Sequence, residues 1–157
     1  MLSIALHPVQ PGDGPGLAEL RAAAMRESLE RVGRFDALRV RQRFLDNFAP
    51  EWTRHIVDIS ARVGVQVGFV VVRPDTAAPA LPGWLLDHLY IAPAHQGRGI
   101  GAAVLAQVFA TADVRGQRLR VGALKHSAAN RFYLRHGFTP CGESEWDTYY
   151  ERQPKLS

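Results

Sequence analysis

The spacing of apolar residues changes along the chain between strand-like and helix-like periods. Runs rich in β-branched and aromatic residues predict about seven strands. They cover residues 3–8, 54–61, 65–73, 84–91 and 119–124, with two more within residues 138–152. Apolar residues at helical spacing predict about four helices. These cover residues 15–32, residues 36–48, Gly99 or Ile100 to Val114, and residues 127–136.

The order of these elements predicts a mixed α/β fold with a mostly antiparallel sheet. Hairpin-like pairs flank one strand–helix–strand crossover over residues 84–124, and such a crossover joins parallel strands in a right-handed sense. The third strand contains an apolar run at residues 68–72, as expected for a strand that is covered on both faces.

The length and composition predict a single globular domain over residues 1–157. Apolar residues make up 46% of the chain and charged residues 22%, which excludes disordered and coiled-coil classes. No internal repeat is found, and the only linker-like stretch is residues 74–82, which is short and rich in Ala and Pro.

The cysteine content and the first residues bear on location. The single cysteine, Cys141, cannot form an internal disulfide, which is typical of the reducing cytoplasm. We interpret it as a small core residue, because no histidine pattern surrounds it. The first six residues are too short for a signal segment, and no run approaches the roughly 20 apolar residues of a membrane span. We expect a cytoplasmic protein without a membrane partner.

Positive charge is concentrated in one part of the chain. The whole sequence carries a net charge of +4, but between His88 and Pro140 there are seven basic residues and one acid, Asp113. The basic residues are Arg98, Arg115, Arg118, Arg120, Lys125, Arg131 and Arg135. This excess favours an anionic ligand, although a solvated helix surface explains it equally well. Nucleic acid is disfavoured, because no basic stripe interleaved with aromatic residues is present.

A glycine loop at residues 96–101, Gln-Gly-Arg-Gly-Ile-Gly, joins the fourth predicted strand to the helix that follows it. Glycines allow a tight turn, so that several backbone N–H groups can point at one anion. The N-terminus of the helix adds about half a positive charge. The loop therefore predicts a phosphate or diphosphate site, and the alternative is a tight turn that binds nothing.

Two other nucleotide-binding motifs fit the chain poorly. The spacing Gly-x-Gly-x-x-Ala at residues 97–102 matches the dinucleotide fingerprint, but five residues separate it from Ile91 at the end of the strand. No acidic residue that could bind a ribose lies between residues 114 and 142. A Walker loop is excluded because no Gly-Lys-Ser/Thr follows the glycines.

Two segments in this order resemble the signatures of the Gcn5-related N-acetyltransferase (GNAT) superfamily. Residues 89–101 resemble its acetyl-CoA signature, in which an apolar strand end precedes Gln/Arg-x-x-Gly-x-Gly/Ala. Residues 129–138, with Ala129, Tyr133 and Gly137-Phe138, resemble its second signature. The order of the predicted elements is also similar to the family fold.

The resemblance implies that acetyl-CoA is the cosubstrate. No metal is expected, because the histidines show no metal-ligand spacing. In the family, the fourth and fifth strands splay apart and admit the pantetheine arm, which pairs with main-chain groups such as those of Leu89 and Ile91. Backbone N–H groups of residues 97–102 would hold the pyrophosphate. Arg98 and Arg131 are candidates for further phosphate ligands, and plain surface charge is an equal alternative for each. The implied contacts are Leu89, Tyr90, Ile91, Gln96, Gly97, Arg98, Gly99, Ile100, Gly101, Ala102, His126, Ala129, Arg131 and Tyr133.

One position departs from the family pattern. Seven residues before the signature tyrosine, many family members have an Asn that contacts the cofactor arm, whereas this chain has His126. Imidazole can also donate or accept a hydrogen bond.

Acetyl transfer to an amine needs a base, an oxyanion donor and an acid for the departing thiolate. The resemblance implies Tyr133 as the acid and the Leu89 N–H as the oxyanion donor. The alternative for Tyr133 is a packed aromatic residue of an amphipathic helix. For the base, Asp87 shares a strand face with Leu89, while His88 has the more suitable ordinary pKa but points to the other face. Asp87, His88 and a water relay stay open, with Asp87 preferred; an ion pair is an alternative role for Asp87.

The function implied is an N-acetyltransferase that moves the acetyl group of acetyl-CoA directly to a primary amine in a ternary complex. The acceptor, a small molecule or a peptide, is not identified by the sequence. A non-catalytic acyl-CoA-binding module is the alternative. The two strands of the tail would also offer edges through which two copies could pair as a homodimer.

Overall fold

A computed structural model of the protein describes residues 1–77 and 82–156. Its strands are β1 (Ile4–Pro8), β2 (Thr53–Asp58), β3 (Val65–Pro74), β4 (Trp84–Ile91), β5 (Leu119–Leu124), β6 (Thr139–Glu143) and β7 (Asp147–Arg152). Its α-helices are α1 (Gly14–Arg31), α2 (Ala37–Asp46), α3 (Ile100–Val114) and α4 (Ala128–Arg135).

The seven strands form one sheet in the order β1-β2-β3-β4-β5-β7-β6. The β1–β2, β2–β3, β5–β7 and β6–β7 pairs are antiparallel, whereas β4 and β5, which are joined through α3, are parallel. This arrangement confirms the predicted mixed, mostly antiparallel sheet. The parallel pair is joined by the long crossover connection that parallel strands require.

The parallel ladder between β4 and β5 is short. It pairs Trp84, Leu85 and Leu86 with Leu119, Arg120 and Val121, in that order. Beyond the last of these pairs, β4 continues over residues 87–91 and β5 over residues 122–124. On its other edge β5 stays paired with β7 along its whole length.

The described residues form two compact units, each with a core of its own. The first unit contains residues 1–71 and 88–104, and the second contains residues 72–87 and the chain from Leu105 onward. In the first unit the rings of Phe44 and Phe69 pack edge to face, with their centroids 5.2 Å apart. In the second unit Phe109 packs against Phe138 at 5.6 Å. The single domain over residues 1–157 stays a prediction.

Gly68 allows a close approach within the first unit. A Cβ atom at this position would lie only 2.2 Å from the backbone oxygen of Tyr90. The flanking positions Val67 and Phe69 are fully buried. Glycine is therefore required here for space, and the closeness of the two backbones fixes β4 against β3 immediately before the glycine loop.

Strand β2 ends three residues earlier than predicted. The sequence is rich in β-forming residues up to Ala61, but the strand stops at Asp58. The Asp58 carboxylate accepts hydrogen bonds from the backbone N–H and the hydroxyl of Ser60, and this local turn competes with the ladder.

The interpretation of Cys141 as a core residue is wrong. Cys141 is exposed, and it lies in β6, whose five residues are all exposed. Strand β6 is the last strand of the sheet, so one of its edges has no neighbouring strand among the described residues. The homodimer suggested by such edges stays a prediction.

Residues 78–81, in the middle of the linker-like stretch 74–82, lie outside the described residues. In the part of the chain that the structure describes, none of the helices combines the length and apolar character that crossing a membrane requires.

Candidate active site

The glycine loop follows β4 through a 3-10 turn at Pro93–His95. The Gln96 side chain folds back and donates from Nε2 to the backbone oxygen of Ile91 at 3.0 Å, which fixes the loop to the end of the strand. Gly97 and Gly99 have φ angles of +77° and +81°, in the left-handed region that glycine enters without steric cost.

The space around the two glycines is open. A Cβ atom at Gly97 or Gly99 would meet nothing within 4 Å, so the backbone conformation, rather than crowding, demands glycine at both positions. Residues 96–99 are exposed, whereas Ile100, which starts α3, is buried and anchors the helix. The first-turn N–H groups of a helix lack partners within the helix and attract anions. The loop and the start of α3 therefore have the properties of an anion site.

Arg98, predicted to bind a phosphate, is held by an acidic partner. Its Nη2 donates to Oδ2 of Asp58 at 2.6 Å, and its Nη1 lies 3.3 Å from Nδ1 of His95. Hydrogen bonds from Ser60, followed by the one from Arg98, lower the pKa of Asp58 to about 2, so this carboxylate is ionised at neutral pH. Sequence reasoning missed Asp58, because it precedes Arg98 by 40 positions.

Much of the positive charge in the basic segment is neutralised in the second unit. The buried Asp75 accepts two hydrogen bonds from Arg120, at 2.8 and 3.0 Å, and one from Arg118 at 3.4 Å. The hydrogen bond from Arg120 is the main cause of the lowered pKa of Asp75. Lys125 pairs with Glu143 at 3.2 Å. The basic residues left exposed in this segment are Arg98, Arg115, Arg131 and Arg135.

The end of β4 carries the predicted contacts to the pantetheine arm. Leu89, Tyr90 and Ile91 are all half-buried. The Tyr90 ring packs on Phe69 with a centroid distance of 5.5 Å, so this side chain serves the core of the first unit. Main-chain groups of these residues, rather than their side chains, are therefore the features suited to pairing with a ligand.

The two candidate bases have different surroundings. Asp87 is half-buried, and its Oδ2 lies 3.1 Å from Nε of Arg73, so the ion-pair role considered for Asp87 is present. The His88 ring packs edge to face with Phe44 at 5.4 Å and also contacts Tyr90. These contacts place the His88 ring among the core aromatics of the first unit. The opposite orientation of Asp87, expected from the alternation of side chains along a strand, stays a prediction.

Tyr133, the predicted acid, lies on α4 within the core of the second unit. The residue is only 6% exposed, and its ring packs against Phe138 and Tyr150 with centroid distances of 5.4 and 6.4 Å. Gly137 ends the helix with a φ of +92°, and the N–H of Phe138 then bonds back to the oxygen of Tyr133 at 3.1 Å. The second family signature thus encodes a helix end that fixes Tyr133.

Asn130 organises the turn between β5 and α4, and sequence reasoning missed it. Its Nδ2 donates to the backbone oxygens of Leu124 at 2.9 Å and Ser127 at 3.0 Å. Its Oδ1 accepts from the Tyr150 hydroxyl at 2.8 Å. The available signal was an asparagine in the first turn of a short helix, where its side chain competes for backbone groups.

His126 has a left-handed backbone. Its φ of +69° makes it the one non-glycine residue with a positive φ in the parts of the chain that the structure describes. Asn and His are enriched in this conformation relative to other side chains. The exchange of the common Asn for His126 therefore keeps a residue type that tolerates the required backbone. Of the other predicted contacts on this side, Ala129 is half-buried and Arg131 is exposed.

The predicted site residues divide between the two units. The first unit brings together residues 89–91 and 96–102, and the second contains Asp87, His126, Ala129, Arg131 and Tyr133. Among the residues described, no three His, Cys, Asp or Glu side chains are grouped so that they could hold a metal ion.

Comparison with known protein families agrees with the sequence signatures. The acetyltransferase (GNAT) domain family matches residues 53–140, which is more than half of the chain and includes the glycine loop and Tyr133. The chain belongs to the GNAT acetyltransferase family. A search of curated protein sequences gave no match.

Solved structures share the fold over almost the whole chain. An acetyltransferase from Thermus thermophilus is 23% identical and superposes with a TM-score of 0.71, covering 97% of both chains. The PaiA N-acetyltransferase from Thermoplasma acidophilum, solved in complex with coenzyme A, is 14% identical with a TM-score of 0.72, covering 96% of this chain and 99% of that one. A Gcn5-related N-acetyltransferase from Rhodopseudomonas palustris is 19% identical with a TM-score of 0.70, covering 98% of both chains. At these identities the likeness establishes the fold.

Proposed function

We propose that this protein is an N-acetyltransferase that moves the acetyl group of acetyl-CoA to a primary amine within a ternary complex. The observation that carries the proposal is the pair of left-handed glycines, Gly97 and Gly99, which opens into α3 in a GNAT family chain. Their exposed backbone and open surroundings suit a diphosphate, and coenzyme A contains one.

Each group of predicted contacts has a part in holding acetyl-CoA. Backbone N–H groups of residues 97–102 would bind the diphosphate, and Arg131, which is exposed, would bind a phosphate. Main-chain groups of Leu89, Tyr90 and Ile91 would pair with the pantetheine arm as a neighbouring strand does. His126 and Ala129 would line the same arm.

The proposed chemistry needs two proton transfers. The amine nitrogen bonds to the thioester carbon, the C–S bond breaks, and the electron pair of that bond leaves with the sulfur. Asp87, directly or through water, would take the proton that the amine loses, and the Leu89 N–H would bind the developing oxyanion. The Tyr133 hydroxyl would protonate the departing thiolate, so that coenzyme A leaves as the free thiol.

Release of the coenzyme A thiol in the presence of acetyl-CoA and a panel of amines tests this proposal. We expect thiol release with at least one amine. We also expect a Tyr133→Phe variant that binds coenzyme A normally but turns over about a hundredfold more slowly, which is the lower end of a proton-transfer contribution. Tyr149→Phe is the matched control, because its hydroxyl contacts only the exposed Ser144 at 3.4 Å among the bonds described. Unchanged turnover in Tyr133→Phe would remove this tyrosine from the reaction.

A non-catalytic acyl-CoA-binding module is a second candidate, and one observation favours it. The preferred base, Asp87, is engaged by Arg73, which competes for the carboxylate. Such a module would bind coenzyme A in calorimetry yet release no thiol with any amine of the panel. An Asp87→Asn variant with unchanged turnover would leave the enzyme proposal standing and would reassign the base to His88 or to water.

A further inference from the structure

The tip of the glycine loop carries an ion pair whose acidic member works against an anionic ligand. Arg98 lies between Gly97 and Gly99, and Asp58 holds its guanidinium group at 2.6 Å. A carboxylate at this distance offsets the charge that Arg98 would offer to a phosphate. The pairing therefore needs an explanation other than attraction of the ligand by Arg98.

Asp58 is itself fixed by a chain of hydrogen bonds. Its Oδ1 accepts from the backbone N–H of Ser60 at 2.9 Å and from the Ser60 hydroxyl. The Ser60 oxygen in turn accepts from the backbone N–H of Ser3 at 2.9 Å. The Asp58 side chain is only 11% exposed, whereas that of Arg98 is 43% exposed. A largely buried, hydrogen-bonded carboxylate at the end of β2 thus pairs with a more exposed side chain of the glycine loop.

The glycine loop is a segment that an ion pair of this kind would usefully restrain. Gly97 and Gly99 have the widest backbone freedom of any residue type, and no side chain of their own to pack. A loop that samples many conformations loses entropy when it binds, and fixing it beforehand removes that cost. Arg98 lies between the two glycines in the sequence, so its ion pair with Asp58 can restrain the backbone of both.

We infer that Asp58 is a positioning residue for the coenzyme A diphosphate. Through Arg98 it holds the backbone N–H groups of residues 97–101 in the arrangement that binds the ligand. The inference rests on the proposed function. Its rival is that Asp58 competes with the phosphates for Arg98, and this rival predicts the opposite sign, namely tighter binding when Asp58 is neutralised.

Calorimetric titration of coenzyme A into four forms of the full chain tests the inference. These are the wild type, Asp58→Asn, Arg98→Gln and the double variant. We expect the Kd to rise about tenfold in each single variant, as for the loss of one charge-assisted contact, and to rise no further in the double variant. An unchanged or lower Kd for Asp58→Asn would overturn the inference, as would losses that add in the double variant.

A matched control and a second ligand locate the effect. Asp13→Asn neutralises another carboxylate of the first unit, one that pairs with His55 at 3.0 Å, and we expect it to leave the Kd unchanged. Dephospho-coenzyme A keeps the diphosphate and lacks the 3′-phosphate, so it should show the same tenfold loss with Asp58→Asn. A loss seen only with coenzyme A itself would place the effect at the 3′-phosphate and overturn the assignment to the loop.

Further variants keep the test decisive. Should Asp58→Asn fail to fold, Ser60→Ala keeps the charge but removes the hydroxyl that orients it, and we expect a Kd about threefold higher. No change in that variant would contradict the inference. If the wild-type protein does not bind coenzyme A, the proposed function is refuted. If the wild type binds coenzyme A and the variants bind it with the same Kd, only the role of Asp58 is refuted.

Discussion

At the scale of single residues, backbone conformation explains the identities at the candidate site better than side-chain chemistry does. Gly97 and Gly99 have open surroundings and positive φ angles, so a larger residue would fit in space but not in conformation. His126 meets the same demand without being glycine. The tight turn at the two glycines was predicted from the sequence, because a glycine pattern is visible. His126 was predicted as a contact residue, but its left-handed backbone was not, since histidine carries no such signal.

We predict that His126→Val lowers the free energy of unfolding by about 1 kcal/mol, because a β-branched residue tolerates the left-handed region poorly. His126 is exposed, so little packing is lost by the exchange. Urea denaturation measures the effect. His126→Asn is the control and should match the wild type; equal stability of the Val variant would show that the positive φ is not a constraint.

At the scale of secondary-structure elements, the sequence predicted β4 and β5 at their observed bounds. Pro93 follows the end of β4, Gly116 precedes β5, and both strands are apolar runs of strand length. The end of β2 was not predicted, because it depends on the hydrogen bonds that Ser60 donates to Asp58 rather than on β propensity. The exposure of Cys141 was missed because a single sequence does not reveal which strand lies at the edge of a sheet.

The close contact between β3 and β4 gives a prediction at this scale. Gly68→Ala should lower the free energy of unfolding by about 3 kcal/mol or more, because the new methyl group meets the backbone oxygen of Tyr90, which cannot rotate away. Chemical denaturation gives the value.

Gly142→Ala is the matched control for Gly68→Ala. Gly142 also lies in a strand, β6, but a Cβ atom there meets nothing within 4 Å. We expect its stability to stay within about 0.5 kcal/mol of the wild type. Similar losses in both variants would point to glycine in strands generally, and not to the approach of two backbones.

At the scale of the whole molecule, the electrostatics depend on aspartates that pair with arginines far away along the sequence. Asp58 and Arg98 are 40 positions apart, and Asp75 and Arg120 are 45 apart. Counting charges along the chain therefore overestimated the positive field of residues 88–140. Local sequence shows which residues are charged, but only the fold shows which charges face each other.

Acid should destabilise the folded protein through these carboxylates. Hydrogen bonds lower the pKa of Asp13, Asp58, Asp75 and Asp113 from 3.8, reaching about 2 for Asp58 and Asp113. Because each folded pKa lies below its unfolded value, the stability contributed is present above about pH 4 and is lost as the pH falls toward 2. Urea midpoints recorded from pH 7 to pH 2 measure the loss.

Asp113→Asn provides the reference for that measurement. Arg152, at 2.8 Å, and the backbone N–H of Lys155 hold the Asp113 carboxylate, so the variant should be less stable at neutral pH. Below about pH 4 its urea midpoint should fall less steeply than that of the wild type, and the two should converge. A wild-type midpoint that does not depend on pH would contradict this account.

The conformation of His126 has a consequence for how relatives of this chain are recognised. If the main requirement at position 126 is a left-handed backbone, then Asn, His and Gly can all meet it, and the side-chain amide of Asn is of secondary importance. A search pattern that insists on the amide would discard chains of this kind, whereas one that encodes the permitted torsion would retain them.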